Sequence, residues 1–376
     1  MTNNIRMVDL KTQYLKVKKE IDTSIHNIID NSSFINGPEV KTFTGNLARY
    51  MDCKHVIPCA NGTDALQVAM MSLNLKPGDE VITSDFTFIA TVEVIALLGL
   101  KLVLVDVDPE TFNLDVDQVK RAITSKTKAI VPVHLFGQCA PMEDLLELAA
   151  VKNLFIIEDA AQSLGSIYTF KNGESLKSGT LGHIGCTSFF PSKNLGCFGD
   201  GGAIFTRDDN LAEKISSVVN HGSKIKYYHD DIGVNSRLDT IQAAILNVKL
   251  KYLDQYNSAR RKAADYYDKH LGEIDEISIP ARSEFSTHIF HQYTIKIKNG
   301  KRDGLKNYLQ EKNIPSMIYY PVPLHLQNGY RYLGYREGDF PVTEGLCKTV
   351  LSLPMHTELD ENQLKYIVES VKSYFA

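Results

Sequence analysis

Between residues 55 and 160, short apolar β-branched runs alternate with stretches whose apolar positions recur at helical spacing. The runs are "HVIPC", "EVITS", "KLVLVDV", "KAIVPVHL" and "LFIIEDAA"; between them lie "TDALQVAMMSLNL", "IATVEVIALLGL", "VDQVKRAI" and "MEDLLELAAVKN". Strands joined through helices of this length form βαβ units with right-handed crossovers and parallel pairing. The pattern therefore predicts an α/β fold: a large domain with a mostly parallel sheet between helices, punctuated by polar turns such as "KPGDE" and "DPETFN". After about residue 250 the pattern changes. A charged helical stretch, "LDQYNSARRKAADYYDKHLGEI", leads to "HQYTIKI", "GLKNYLQEKN" and a final helix "ENQLKYIVESVKSYF". We read residues 1–250 as the large domain, with an N-terminal helical segment, and 251–376 as a smaller C-terminal α+β domain.

The length of 376 residues allows a sizeable core in each domain. A net charge of −4, with both signs interspersed, supplies no basic field for nucleic acid or an anionic membrane. Cys53, Cys59, Cys139, Cys186, Cys197 and Cys347 form no CxxC pair and no Cys/His ligand spacing, so reduced thiols and no metal site are expected. The start, "MTNNIRMVDLKTQYLKV", has no apolar segment of signal-peptide type, and no apolar run approaches the ~20 residues that a membrane span needs. A cytoplasmic protein is expected.

Ligands on open α/β sheets bind beyond the carboxyl ends of the strands, which is where unusual residues collect here. "CANGTDAL" opens a helix and offers Gly62, Thr63 and Asp64 with free N–H groups, an anion site; an ordinary N-cap is the plainer alternative. Phe86 and Phe88 follow the second strand, where an aromatic usually serves the core. "FIIEDAAQSLG" ends an apolar strand with Glu158 and Asp159, and Gln162 follows; a carboxylate there is costly unless a cation or donors meet it. In "TSFFPSKNLGCFGDGGAIFT", Lys193 precedes Gly199, Gly201 and Gly202, an order opposite to that of a nucleotide-binding phosphate loop. A lysine among aromatic and glycine residues can lose solvation, lower its pKa and form covalent adducts with carbonyls; a surface loop lysine is the alternative. An anion cradle, a flat aromatic, a carboxylate and such an amine are together what pyridoxal phosphate requires.

The motifs "FINGPEVKTF", "CANGTDAL", "IEDAAQS", "SFFPSKNLGCFGDGGA", "NSRLDTIQAAIL", "YYPVPLH" and "LSLPMH" resemble the DegT/StrS sugar aminotransferases, fold type I pyridoxal-phosphate enzymes, over nearly the whole chain. The resemblance implies that Lys193 holds the cofactor and acts as acid and base, that Asp159 pairs with the pyridinium nitrogen, that Gln162 approaches the phenolic oxygen and that Phe88 stacks on the ring. It further implies a phosphate site of Gly62, Thr63 and Ser188, and a homodimer with shared sites in which Asn235 comes from the neighbouring subunit. The implied reaction moves the amino group of L-glutamate to a nucleotide-linked keto sugar. "GVNSRLDTIQAAIL" and "LSLPMH" are similar to the UDP-2-acetamido-2-deoxy-3-oxo-glucuronate 3-aminotransferase branch, which serves surface polysaccharide synthesis. Those enzymes can carry His-Tyr where this chain has Tyr319 and Tyr320, so dTDP-linked 3-keto and UDP-linked 4-keto sugars stay as alternative acceptors. Arg237 suits a carboxylate, with a helix-surface arginine as the alternative. Two other functions are weighed: a sugar dehydratase, whose relatives carry histidine where Lys193 stands, and a non-catalytic cofactor-binding regulator.

Overall fold

The computed structural model describes residues 5–376. Its centre is a seven-stranded sheet in the order His55–Cys59, Gly202–Thr206, Ile184–Ser188, Phe155–Asp159, Thr127–Val131, Glu80–Ser84, Lys101–Val105. Four pairings are parallel, and Gly202–Thr206 alone runs antiparallel to both its neighbours. The connection from Ile184–Ser188 to Gly202–Thr206 contains no helix. Without a crossover helix the chain can only turn back beside the strand it left. That return pairs Ser188 with Gly202 and suspends Lys193 on the loop between them.

The expected strand runs end early. "KAIVPVHL" ends as a regular strand at Val131, because Pro132 has no N–H to give to a ladder, and beyond it only an isolated bridge of Val133 to Asp159 continues the pairing. Within the sheet, successive side chains go to opposite faces. Val81, Val131 and Ile157 pack under Gly62–Ser72 and Ala90–Leu97, whereas Ile82, Ile130 and Ile156 pack against Met142–Lys152. The sheet is thus covered on both faces.

Two N-terminal helices, Leu10–Asp30 and Pro38–Met51, lie on Thr240–Leu250: Val17 and Ile21 meet Ile245 and Val248, and Phe43 and Leu47 meet Leu246. A separate cluster joins Ala263, Tyr267, Tyr293, Ile295, Leu351 and Ile367, with Ile5 added from the N-terminal segment. It lies between an antiparallel sheet of Ile277–Ser278, Tyr293–Ile297 and Val350–Leu353 and the helices Leu253–Leu271, Arg302–Glu311 and Glu361–Phe375. Among the described residues no helix is long and apolar enough to cross a membrane, and the six cysteines are free and buried.

Candidate active site

The carboxyl ends of the sheet strands, the start of Gly62–Ser72 and the segment 318–321 enclose a cavity of about 780 Å³, a size that suits a cofactor with a substrate. Gly62, Thr63, Phe88, Asp159, Gln162, Ser188, Lys193, Tyr319 and Tyr320 all line it. Chain segments far apart in sequence meet here because parallel strands deliver all their following loops to one edge of the sheet.

At the helix start, the Asn61 side chain accepts from the Asp64 N–H at 2.8 Å and the Asn61 carbonyl accepts from the Ala65 N–H at 3.1 Å. The first four N–H groups of a helix have no partner inside it, so those of Gly62 and Thr63 are left for a ligand. The N-cap thus serves the later donors and leaves the first N–H groups of the helix unbonded at the cavity. A Cβ on residue 62 would stand 2.7 Å from Ser188 Cβ, so only glycine lets the helix start approach the strand end.

Strand alternation separates Glu158 from Asp159. Glu158 points away from the cavity and is fully satisfied by His134 Nε2 at 2.8 Å and the N–H groups of Gly179, Leu181 and Gly182. Asp159 lines the cavity, accepting from Thr91 Oγ1 at 2.7 Å and from the Ala161 N–H at 3.1 Å. Lys193 shares that cavity. Burial pulls its amine down to about 8, with the charge of Asp159 opposing the shift. Gln162 accepts the Phe136 N–H at 2.9 Å and donates to the Tyr320 hydroxyl at 3.3 Å, which fixes its carboxamide and leaves one N–H free.

Phe86 and Phe88 divide the two roles open to them. Phe86 is 1% exposed and packs with Phe112 and Phe136, whereas Phe88 is 53% exposed at the cavity, 6.4 Å from the Tyr320 ring. Asn235 and Arg237 do not line the cavity of this chain. Asn235 is exposed and bridges to Asn220, while Ser236 between them is buried and accepts from the Ala60 N–H. Beside them Ile225, Tyr227, Tyr228 and Ile232 stand exposed.

Sequence reasoning missed Thr91, which lies in an ordinary helical pattern, and His291, a buried cavity residue whose Nδ1 has no partner. Neither carries a local signal, since both are brought to the site by other segments.

The DegT/DnrJ/EryC1/StrS aminotransferase family matches residues 15–372. The chain is 48% identical to a "Pleiotropic regulatory protein" of Geobacillus stearothermophilus, over 99% of each chain. It is 43% identical to the UDP-2-acetamido-2-deoxy-3-oxo-D-glucuronate aminotransferase of Pseudomonas aeruginosa, over 96% of this chain and 98% of the relative. The crystal structure of NtdA from Bacillus subtilis with bound cofactor PMP superposes with a TM-score of 0.90 at 29% identity, over 100% of this chain and 87% of that one. A match this long, joined to a cavity whose donors, carboxylate and amine fit the cofactor, leads to one conclusion: the chain belongs to the DegT/DnrJ/EryC1/StrS aminotransferase family and is a pyridoxal-phosphate-dependent aminotransferase.

Proposed function

We propose that the protein transfers the amino group of L-glutamate to a nucleotide-linked keto sugar, with UDP-2-acetamido-2-deoxy-3-oxo-glucuronate as the acceptor, in a cytoplasmic step of surface polysaccharide synthesis. The observation that carries this reading is the meeting of Lys193, Asp159 and the open helix start of Gly62–Ser72 in one cavity. The 43% identical relative from Pseudomonas aeruginosa supports the acceptor.

Bound there, pyridoxal phosphate supplies an electron sink for the charge that develops at an amino acid Cα. The N–H groups of Gly62 and Thr63 and the Ser188 hydroxyl hold its phosphate. Asp159 would offer the pyridine nitrogen a negative partner, Gln162 would give its free N–H to the phenolic oxygen, and Phe88 would stack on the ring. Lys193 would hold the cofactor and, as a free amine, would move a proton at the substrate Cα. An amine near 8 is a useful acid and base close to neutrality. Glutamate would become 2-oxoglutarate and the keto sugar its amino sugar, an exchange of amino group for carbonyl oxygen that balances.

Tyr319 and Tyr320 line the same cavity, and we assign them to the acceptor sugar. We infer that Asn235 and Arg237 complete the site of a second subunit in a homodimer, Arg237 meeting a carboxylate of glutamate or the uronate. Their position outside their own cavity and the exposed apolar group Ile225, Tyr227, Tyr228 and Ile232 beside them support this. Domains of 1–250 and 251–376 remain our division of the chain.

The relative named as a regulator favours a second reading, a non-catalytic sensor. The two are separated by adding glutamate to the cofactor-loaded protein and then a panel of UDP- and dTDP-linked keto sugars, with products weighed by mass spectrometry. Loss of the visible cofactor band with glutamate and amination of the UDP-linked 3-keto uronate is expected. Amination of a dTDP-linked sugar instead moves the acceptor. A band indifferent to glutamate establishes the sensor.

A further inference from the structure

Lys249 stands at the end of the helix Thr240–Leu250 and is 2% exposed. A buried ammonium is expensive, and no carboxylate among the described residues pairs with this one. Burial pulls it down to about 8, the neighbouring Cys197 opposing the shift and the charge of Arg260 adding to it. An aliphatic side chain would fill the same space without that cost, so what the ammonium touches is informative. It donates to the Gly196 carbonyl and lies 5.7 Å from the Phe198 ring. Both residues belong to the helix-free loop that carries Lys193.

That loop is folded tightly. A Cβ on residue 196 would stand 2.4 Å from the Pro191 carbonyl oxygen, so the chain doubles back at Gly196. The Cys197 thiol bonds to the Phe189 and Gly199 carbonyls at 3.0 and 3.2 Å, internal ties that shape the loop but attach it to nothing else. On the Lys193 side the Asn194 amide donates to Asn257 Oδ1 at 2.7 Å and to the Ile289 carbonyl at 3.3 Å, and the 196–198 arm is attached by the helix Thr240–Leu250. Gln242 Oε1 accepts the Phe198 N–H at 2.8 Å, and Gln242 and Lys249, two turns apart, share a helix face.

We propose that Lys249 is a positioning residue: with Gln242 it clamps the 189–201 loop to the helix Thr240–Leu250 and thereby holds the Lys193 amine in place opposite Asp159. The clamp rests on the aminotransferase reading only for its effect on turnover; its effect on the loop is independent of any ligand. It also makes one helix the common support of the Lys193 loop and of the Asn235–Arg237 segment that precedes it.

The test is Lys249→Met, which keeps the apolar volume and removes the charged donor. Amide exchange of the cofactor-free protein, followed by mass spectrometry, is expected to rise about tenfold in peptides of 189–201 and to stay unchanged in peptides of the central sheet. With cofactor and glutamate, kcat should fall about tenfold while KM stays within about twofold, as displacement of a reacting group predicts. Lys249→Arg, which retains a charged donor, should recover part of the loop protection. If Lys249→Met does not fold, Gln242→Ala removes the other half of the clamp and is judged by the same exchange and kinetics. Unchanged loop exchange in the folded variant overturns the proposal, as does a rise spread evenly over the whole chain. A loop that loosens in a protein inactive towards every keto sugar would keep the clamp and remove the proposed acceptor.

Discussion

The Thr91 hydroxyl and Asp159 Oδ2 are joined by a hydrogen bond of 2.7 Å between two buried side chains. Thr91 lies in the first turn of Ala90–Leu97 and Asp159 ends a central strand, so the bond locks a cavity carboxylate to a neighbouring helix. Thr91→Val removes that donor at nearly constant volume and leaves a buried carboxylate oxygen without its partner, a loss of about 1–3 kcal/mol. We expect pyridoxal phosphate to bind about tenfold or more weakly, read by titrating the cofactor-free protein and following absorbance. Asp159→Asn removes the charge itself and should slow turnover about a hundredfold or more. Equal activity in that variant would assign the pyridinium role elsewhere.

Lys193→Ala should abolish amination with the fold intact, since the side chain lines a cavity instead of filling a core. Circular dichroism and thermal melting check the fold, and turnover above a few per cent of the parent would refute the assignment. In the unmodified protein, covalent loading of the cofactor needs the free amine. With the amine lowered to about 8, the loading rate should climb through pH 7 to 8 and level off above it. An unshifted lysine would still be climbing at pH 10.

Acid should destabilise the protein through three histidines. Burial drives His288 down to about 3, His356 down to about 4 and His291 well below the usual range, with nearby cationic side chains adding to each shift. The unfolded chain protonates these rings below about pH 6.5 while the folded one does not, so stability present at neutral pH is lost as the pH falls from about 6.5 towards 4. Each contributes a slope of about 1.4 kcal/mol per pH unit in that window. His325 acts in the opposite sense: burial opposes its charge, but the bond to Asp85 outweighs burial and raises its pKa. Urea unfolding between pH 7.5 and 5 measures the net slope. His356→Gln should flatten it by about one histidine's share, and an unchanged slope would mean that this ring is charged in the folded state.

The proposed shared site is tested by mixing. Lys193→Ala and Asn235→Ala/Arg237→Ala should each be inactive, yet subunit exchange between equal amounts should return up to about a quarter of parental activity. Half of the dimers are then mixed, and each holds one intact site because both lesions fall in the other. If exchange is demonstrated by mass and no activity returns, Asn235 and Arg237 work within their own chain or not at all.

Local pattern alone sufficed for elements whose residues decide their own conformation. "HVIPC", "EVITS" and "ENQLKYIVESVKSYF" coincide with His55–Cys59, Glu80–Ser84 and Glu361–Phe375, because apolar periodicity and flanking turn residues are properties of contiguous sequence. The same holds for chemistry carried by one motif: Lys193 among aromatic and glycine residues, and the helix opened by Gly62 and Thr63, were legible before any fold was known. Tertiary structure decided what depends on partners distant in the chain. Gly202–Thr206 takes its antiparallel direction from the missing crossover helix, and Glu158 and Asp159 take opposite roles from the strand's alternation about a two-sided sheet. Local pattern did not separate Phe86 from Phe88, whereas burial of the first and exposure of the second at the cavity do. Thr91 and Lys249 had no signal at all: a threonine or lysine in a helical pattern is ordinary until the fold sets it against Asp159 or Gly196 and removes the water that would otherwise satisfy it.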